Sequence, residues 1–141
     1  MRDIDSRCVL ETTDSNIKFE EKGKKIIFKN IDRKLCTKVQ VDGCAILEGA
    51  KCDKLLKVGK ISLSGDESYV ELKGIDIKHA ADQLRETIKT LHNDTSAVTA
   101  YIICSSVKPA ARTLIQKEKV RFKNTLKANL VVKESGYEVI I

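Results

Sequence analysis

Hydrophobic and polar residues alternate through much of the first half of the chain, a pattern that is typical of half-buried β-strands. The segment 17–30 predicts a β-hairpin, because two apolar runs flank the turn residues Lys22 and Gly23. Three more strands are predicted at 37–47, 52–58 and 67–73. Glycines and polar residues between them mark short turns, so the three strands are expected to form an antiparallel meander.

The spacing of apolar residues then changes to three and four, which predicts an amphipathic helix. Asp76 is placed to cap the helix at its N-terminus, and Asn93 is placed to end it. The apolar stripe consists of Ile77, Ala80, Ala81, Leu84, Ile88 and Leu91. A helix of this length suits a right-handed crossover between parallel strands, and it is the only parallel connection expected.

The rest of the chain predicts a buried strand at 97–107 and a second helix from Pro109 to about Leu126. Two strands follow, on either side of Ser135 and Gly136. The 141 residues are therefore expected to form one α/β domain, 1–141, with residues 1–36 as an N-terminal extension that contains the hairpin. Its fold class is a mixed β-sheet with a central antiparallel meander, flanked by two helices.

Composition narrows the class of protein. No apolar run approaches the ~20 residues of a membrane-spanning helix, and the N-terminus lacks a signal-peptide core, so a cytoplasmic location is expected. The five cysteines are odd in number and are not clustered as zinc ligands are. Buried, reduced thiols are therefore predicted.

The net charge of +6 permits binding to nucleic acid. Aromatic residues make up only 4% of the chain and Trp is absent, so phosphate contacts are expected to dominate over base stacking. The second helix supplies a run of basic residues that is either a solvated face or a clamp for a nucleic-acid backbone. These candidate contacts are Arg112, Lys117, Lys119, Arg121 and Lys123.

An acidic residue followed two positions later by lysine occurs four times in the chain, so the triplet alone has little weight. Only Glu71 and Lys73 lie within a predicted strand, where residues two apart project from the same face. Asp53 begins the preceding predicted strand, and an antiparallel pairing would bring it towards Glu71 and Lys73. The alternative is an ordinary solvated strand face with an ion pair of little energetic value.

The stretch CDKLLKVGKISLSGDESYVELKGIDIKHAADQL, with the predicted strand that follows, resembles the PD-(D/E)XK nuclease superfamily, which has the restriction-endonuclease-like fold. The resemblance covers residues 52–106. It consists of an acid at the head of one strand, Glu-x-Lys near the end of the next, and then a helix that carries Gln83. Two departures are Thr87, where an aromatic residue often stands, and Cys52, where the first acid is usually preceded by proline.

The resemblance implies hydrolysis of phosphodiester bonds, in DNA, with Mg²⁺ or Mn²⁺ as cofactor. Asp53, Glu71 and the backbone carbonyl of Leu72 would bind the metal, Lys73 would orient the attacking water, and Gln83 would complete the catalytic set. The alternative on the same fold is a catalytically inactive module that binds nucleic acid or protein. A domain this small has little surface for recognition, so a homodimer or a partner protein is a further expectation.

Overall fold

The computed structural model of the protein describes residues 4–72 and 76–141. The helices are α1 (Ile77–Leu91) and α2 (Arg112–Leu126). The strands are β1 (Val9–Thr12), β2 (Asn16–Glu21), β3 (Lys24–Lys29), β4 (Cys36–Gln40), β5 (Lys54–Val58), β6 (Glu67–Glu71), β7 (Val98–Cys104), β8 (Asn129–Glu134) and β9 (Tyr137–Ile140). Neither α1 nor α2 is long and apolar enough to cross a bilayer, and they are the α-helices of the described ranges.

The strands form two sheets. The larger has the order β1-β4-β5-β6-β7-β8, and the smaller has the order β2-β3-β9. The pairs from β1 through β6 are antiparallel, whereas β6, β7 and β8 run parallel. The predicted mixed α/β class and the predicted antiparallel meander, β4-β5-β6, are therefore confirmed.

The prediction of a single parallel connection is wrong. The segment with α2 joins β7 to β8 in parallel, just as α1 joins β6 to β7. A third parallel pair forms between β3 and β9, which are far apart in the chain. Consequently the two C-terminal strands do not pair with each other: β8 completes the large sheet, and β9 crosses to the small one.

Helix α1 follows closely from its sequence. The Asp76 side chain accepts a hydrogen bond from the His79 amide at 3.1 Å, so the predicted N-cap is confirmed. The predicted apolar stripe is buried, and it faces the large sheet together with Thr87. The helix ends at Leu91, where the His92 amide bonds to the Ile88 carbonyl.

The large sheet lies between two apolar cores. Residues of α1 and α2, such as Leu84 and Phe122, pack on one face with Leu55 and Tyr69 of the central strands. The hairpin β2–β3 and the strand β9 pack on the other face, in a core that contains Phe28. Strands β5 and β6 are therefore covered on both faces, and three of their charged residues, Lys57, Glu67 and Glu71, are buried.

The first 36 residues contribute to both sheets. Strand β1 pairs with β4 at the edge of the large sheet, and β2 and β3 form most of the small one. The hairpin predicted around Lys22 and Gly23 is confirmed, with a turn in which Lys22 has φ +50° and Gly23 has φ +76°. A left-handed conformation of this kind favours glycine at the second position.

The prediction that all five cysteines are reduced is wrong for two of them. Cys8 and Cys44 form a disulfide that closes a loop of 36 residues and ties the start of β1 to the turn after β4. Their separation in sequence hides the pairing, which depends on β1 lying beside β4. Cys36, Cys52 and Cys104 are free and buried, as predicted.

Reduction of the Cys8–Cys44 bond is expected to lower the free energy of unfolding by about 4 kcal/mol, because the reduced unfolded chain regains the entropy of an open loop. Urea denaturation with and without reductant measures the change. In a Cys8→Ala, Cys44→Ala variant, reductant should have no further effect. If the wild-type protein denatures at the same urea concentration in both conditions, the disulfide contributes no stability.

Candidate functional site

Two buried carboxylates lie at the same end of the paired strands β5 and β6. Lys54 pairs with Val70 in the antiparallel register, so Asp53 and Glu71 are the next residues outward on the two chains. The Leu72 amide donates a hydrogen bond to Asp53 Oδ2 at 2.8 Å, which fixes the Asp53 carboxylate beside the end of β6. Asp53 is 2% exposed and Glu71 is 1% exposed.

Glu71 faces the helices. Residues two apart on a strand share a face, and Tyr69 packs in the core that α1 and α2 cover. Burial, and then the negative charges of Glu71 and Asp53, raise the pKa of the Cys52 thiol to about 12. The thiol therefore stays protonated at neutral pH and is a poor nucleophile.

Helix α1 is tied to this end of β5 by a short chain of hydrogen bonds. The Cys52 amide donates to Thr87 Oγ1 at 2.8 Å, and that hydroxyl donates to the Gln83 carbonyl, also at 2.8 Å. Gln83 is half-buried, one helical turn from Thr87. Thr87 thus has a structural role, because it anchors the segment just before β5 to α1.

The other predicted site residues are placed as follows. The Leu72 side chain is buried on the opposite face of the sheet, in the core with Leu56 and Val70. Its backbone amide is the group that donates the hydrogen bond to Asp53. Lys73 lies outside the described residues.

The predicted nucleic-acid contacts all lie on α2, which packs against α1 and β8. Every one of them is exposed: Arg112, Lys117, Lys119, Arg121 and Lys123. The basic residues are thus exposed on a helix, whereas the two carboxylates are buried on strands.

A second cluster of charged side chains, missed from the sequence, occupies the opposite end of β6. Glu67 Oε2 and Lys57 Nζ are 2.9 Å apart, and both side chains are fully buried. Glu67 Oε1 accepts from the Tyr69 hydroxyl at 2.7 Å and contacts His92 Nδ1 at 2.9 Å. Burial, and then the charge of Glu67, raise the pKa of Tyr69. Asp94 completes the cluster, 3.8 Å from Lys57.

This cluster could hold a metal ion, because ligand atoms of Glu67, His92 and Asp94 lie within 4.8 Å of one another. An imidazole with two carboxylates is a donor set that suits a transition metal better than Mg²⁺. Hydrogen bonds from Ser96 hold the pKa of Asp94 down, at about 2, so this carboxylate is charged. Lys57 already supplies a cation that contacts both carboxylates, and a metal would have to share them with it.

Comparison with models of known protein families, with curated proteins and with solved structures found no match to this chain.

Proposed function

We propose that the protein is a metal-dependent nuclease that hydrolyses phosphodiester bonds in DNA, with a site that resembles that of the PD-(D/E)XK superfamily. The observation that carries the proposal is the pair of buried carboxylates, Asp53 and Glu71, at adjacent ends of antiparallel strands. Hard oxygen ligands of this kind suit Mg²⁺ or Mn²⁺.

The electrostatics of the pair support a bound cation. Two carboxylates buried on neighbouring strands repel each other and have lost most of their hydration, so positive charge placed between them is favourable. In the proposed site, a divalent ion and Lys73 supply this positive charge. The donor set consists of Asp53 and Glu71, with the Leu72 carbonyl as a third ligand.

Each residue has a role in hydrolysis. Asp53 and Glu71 hold the metal, which when bound lowers the pKa of a water molecule and stabilises negative charge on the phosphate. Lys73 orients the attacking water and interacts with the scissile phosphate. Gln83 positions substrate or water from α1, on a helix that the Cys52–Thr87 hydrogen bond fixes to β5.

The acidic pair is a better candidate for the catalytic metal than the cluster at the other end of β6. In that cluster, the ammonium of Lys57 lies 2.9 Å from Glu67 and compensates its charge. The acidic pair supplies carboxylate oxygens, which suit Mg²⁺ or Mn²⁺, whereas the other cluster also contains the imidazole of His92.

A second candidate is an inactive module that binds nucleic acid, and the exposed basic residues of α2 favour it. We also predict that the protein associates as a homodimer or with a partner protein. Its cytoplasmic location is a further prediction.

The deciding experiment incubates the wild-type protein with supercoiled and linear DNA in Mg²⁺, in Mn²⁺ and in EDTA. Cleavage that needs the divalent ion supports the nuclease. DNA binding that weakens with salt, without cleavage in either metal, would identify the inactive module instead.

A further inference from the structure

The outward face of α2 has an unusual distribution of charge. The helix contains five basic residues and one acidic residue, and so accounts for four of the six net positive charges of the chain. The acidic residue, Glu118, is 1% exposed and points inward. All five basic residues are exposed. Because Glu118 is the only acidic residue within α2 and is buried, the solvent side of this helix carries basic residues and no carboxylate.

Glu118 does not neutralise the outward face. Its two oxygens contact Arg85 at 3.2 Å and Lys78 at 3.7 Å, both from α1, and Arg121 at 3.3 Å. Arg121 nevertheless keeps 53% of its side chain exposed. The exposed face of α1 is different, because Lys89 there pairs with the neighbouring Glu86.

The exposed residues of α2 fall into three rows, because successive residues of a helix are rotated by about 100°. The central row follows a spacing of three and four and consists of Thr113, Gln116, Val120 and Asn124. One flank carries Lys117 and Arg121, and the other carries Arg112, Lys119 and Lys123. A shallow hollow runs along the centre and the first flank, lined by Gln116, Lys117, Val120, Arg121, Asn124 and Thr125.

We infer that α2 is a recognition helix that enters the major groove of double-stranded DNA. The inference rests on the proposed function for the choice of DNA as the polyanion. An α-helix, about 10–12 Å across, fits a major groove about 12 Å wide, which leaves phosphates on both sides. The two basic flanks then contact the two DNA backbones, and the central row faces the base edges.

The central row has the chemistry for this position. Gln116 and Asn124 carry amides, which can donate to and accept from a base edge at the same time, as adenine requires. Val120 is 58% exposed, and an apolar side chain at the centre of the row matches the methyl group of thymine. The central row can therefore distinguish bases, whereas the flanks contact only phosphates.

Other occupants fit this face less well. A second copy of the chain would place the same cations against one another. An anionic membrane would need large apolar residues, and Val120 is the only apolar side chain on the exposed face of α2. Single-stranded nucleic acid is bound largely by stacking on aromatic residues, and the one aromatic residue of α2, Phe122, is buried.

The phosphate contacts are tested by binding to a labelled DNA duplex in EDTA, where no metal-dependent cleavage occurs. Each flank is removed separately, in Lys117→Ala, Arg121→Ala and in Lys119→Ala, Lys123→Ala variants, with Lys89→Ala as the matched control on α1. Each double variant should reduce the slope of log affinity against log salt by about 2, since each lost phosphate contact contributes ~0.9. Lys89→Ala should leave the slope unchanged.

The base contacts are tested by selecting bound duplexes from a random pool and sequencing them. The wild-type protein should enrich particular sequences. A Gln116→Ala, Asn124→Ala variant should lose that enrichment, about tenfold or more at the affected positions, and keep the wild-type salt slope. Equal affinity for all sequences by the wild-type protein would contradict the base contacts.

The inference and the proposed function can fail separately. Unchanged affinity and salt slope in both flank variants would overturn the recognition helix, even if the protein cleaves DNA. Preferred binding to single strands, or to vesicles of anionic lipid, would also overturn it. Conversely, binding that depends on both flanks, in a protein that cleaves nothing with Mg²⁺ or Mn²⁺, supports the helix and removes the nuclease.

Discussion

An Asp53→Asn variant is expected to lose at least about 100-fold of the metal-dependent cleavage rate, a loss of roughly 3 kcal/mol of transition-state stabilisation. The substitution removes the negative charge to which the proposal assigns the metal. The Asn side-chain oxygen can still accept the Leu72 amide hydrogen bond, which is 2.8 Å long in the wild-type protein. Single-turnover cleavage in saturating Mg²⁺ measures the rate.

The isosteric change separates a catalytic role from a structural one. If Asp53 only caps the end of β6, the variant should cleave at the wild-type rate and differ only in thermal stability. Glu71→Gln and Lys73→Ala should show losses of similar size, whereas Glu86→Gln, an exposed carboxylate of α1, should cleave normally. Undiminished activity in the Asp53, Glu71 and Lys73 variants would remove the site assignment.

Local chemistry explains what could be predicted of the fold. Helix α1 has its cap, its apolar stripe and its end within one short segment, so its sequence contains nearly all the necessary information. The hairpin β2–β3 and the meander β4-β5-β6 depend on neighbours joined by short connections. The pairing of β3 with β9 depends on residues more than a hundred positions apart, and no sequence pattern specifies it.

The residues at the two ends of the β5–β6 pair were also predictable only where neighbouring segments determine their contacts. The placement of Asp53 beside Glu71 follows from an antiparallel pairing that the short loop makes natural. The same pairing sets Lys57 directly opposite Glu67. Two oppositely charged residues on neighbouring predicted strands could have indicated this contact. The contact of Glu67 with His92 could not be predicted from the sequence, because it requires the end of α1 to lie over the start of β6.

A common architecture accounts for both groups of charges. Because each face of the large sheet is covered, a charged residue on β5 or β6 is costly unless a partner compensates it. At one end, Lys57 compensates Glu67 within the protein. At the other end, the carboxylates of Asp53 and Glu71 are buried on neighbouring strands. The proposed function assigns a divalent metal to this second group.

The compensation by Lys57 predicts a large effect on stability. Replacing Lys57 with Met should lower the free energy of unfolding by about 3–5 kcal/mol, because it leaves the Glu67 carboxylate buried without its cation. Met is close to Lys in length and is apolar, so the packing of the side-chain stem is largely kept. Equilibrium urea denaturation of the variant and the wild-type protein measures the difference.

A second substitution tests the cause. In a Lys57→Met, Glu67→Gln variant the buried charge is gone, while the Gln side-chain oxygen can still accept the Tyr69 hydroxyl. The double variant should therefore recover more than half of the lost stability, which a double-mutant cycle reports as a coupling energy between the two residues. Additive losses would show that packing, and not charge compensation, makes Lys57 important.

Titration of the single variant with Zn²⁺ adds an independent check. In that variant Glu67, His92 and Asp94 no longer share their site with the Lys57 ammonium, so bound metal should restore stability.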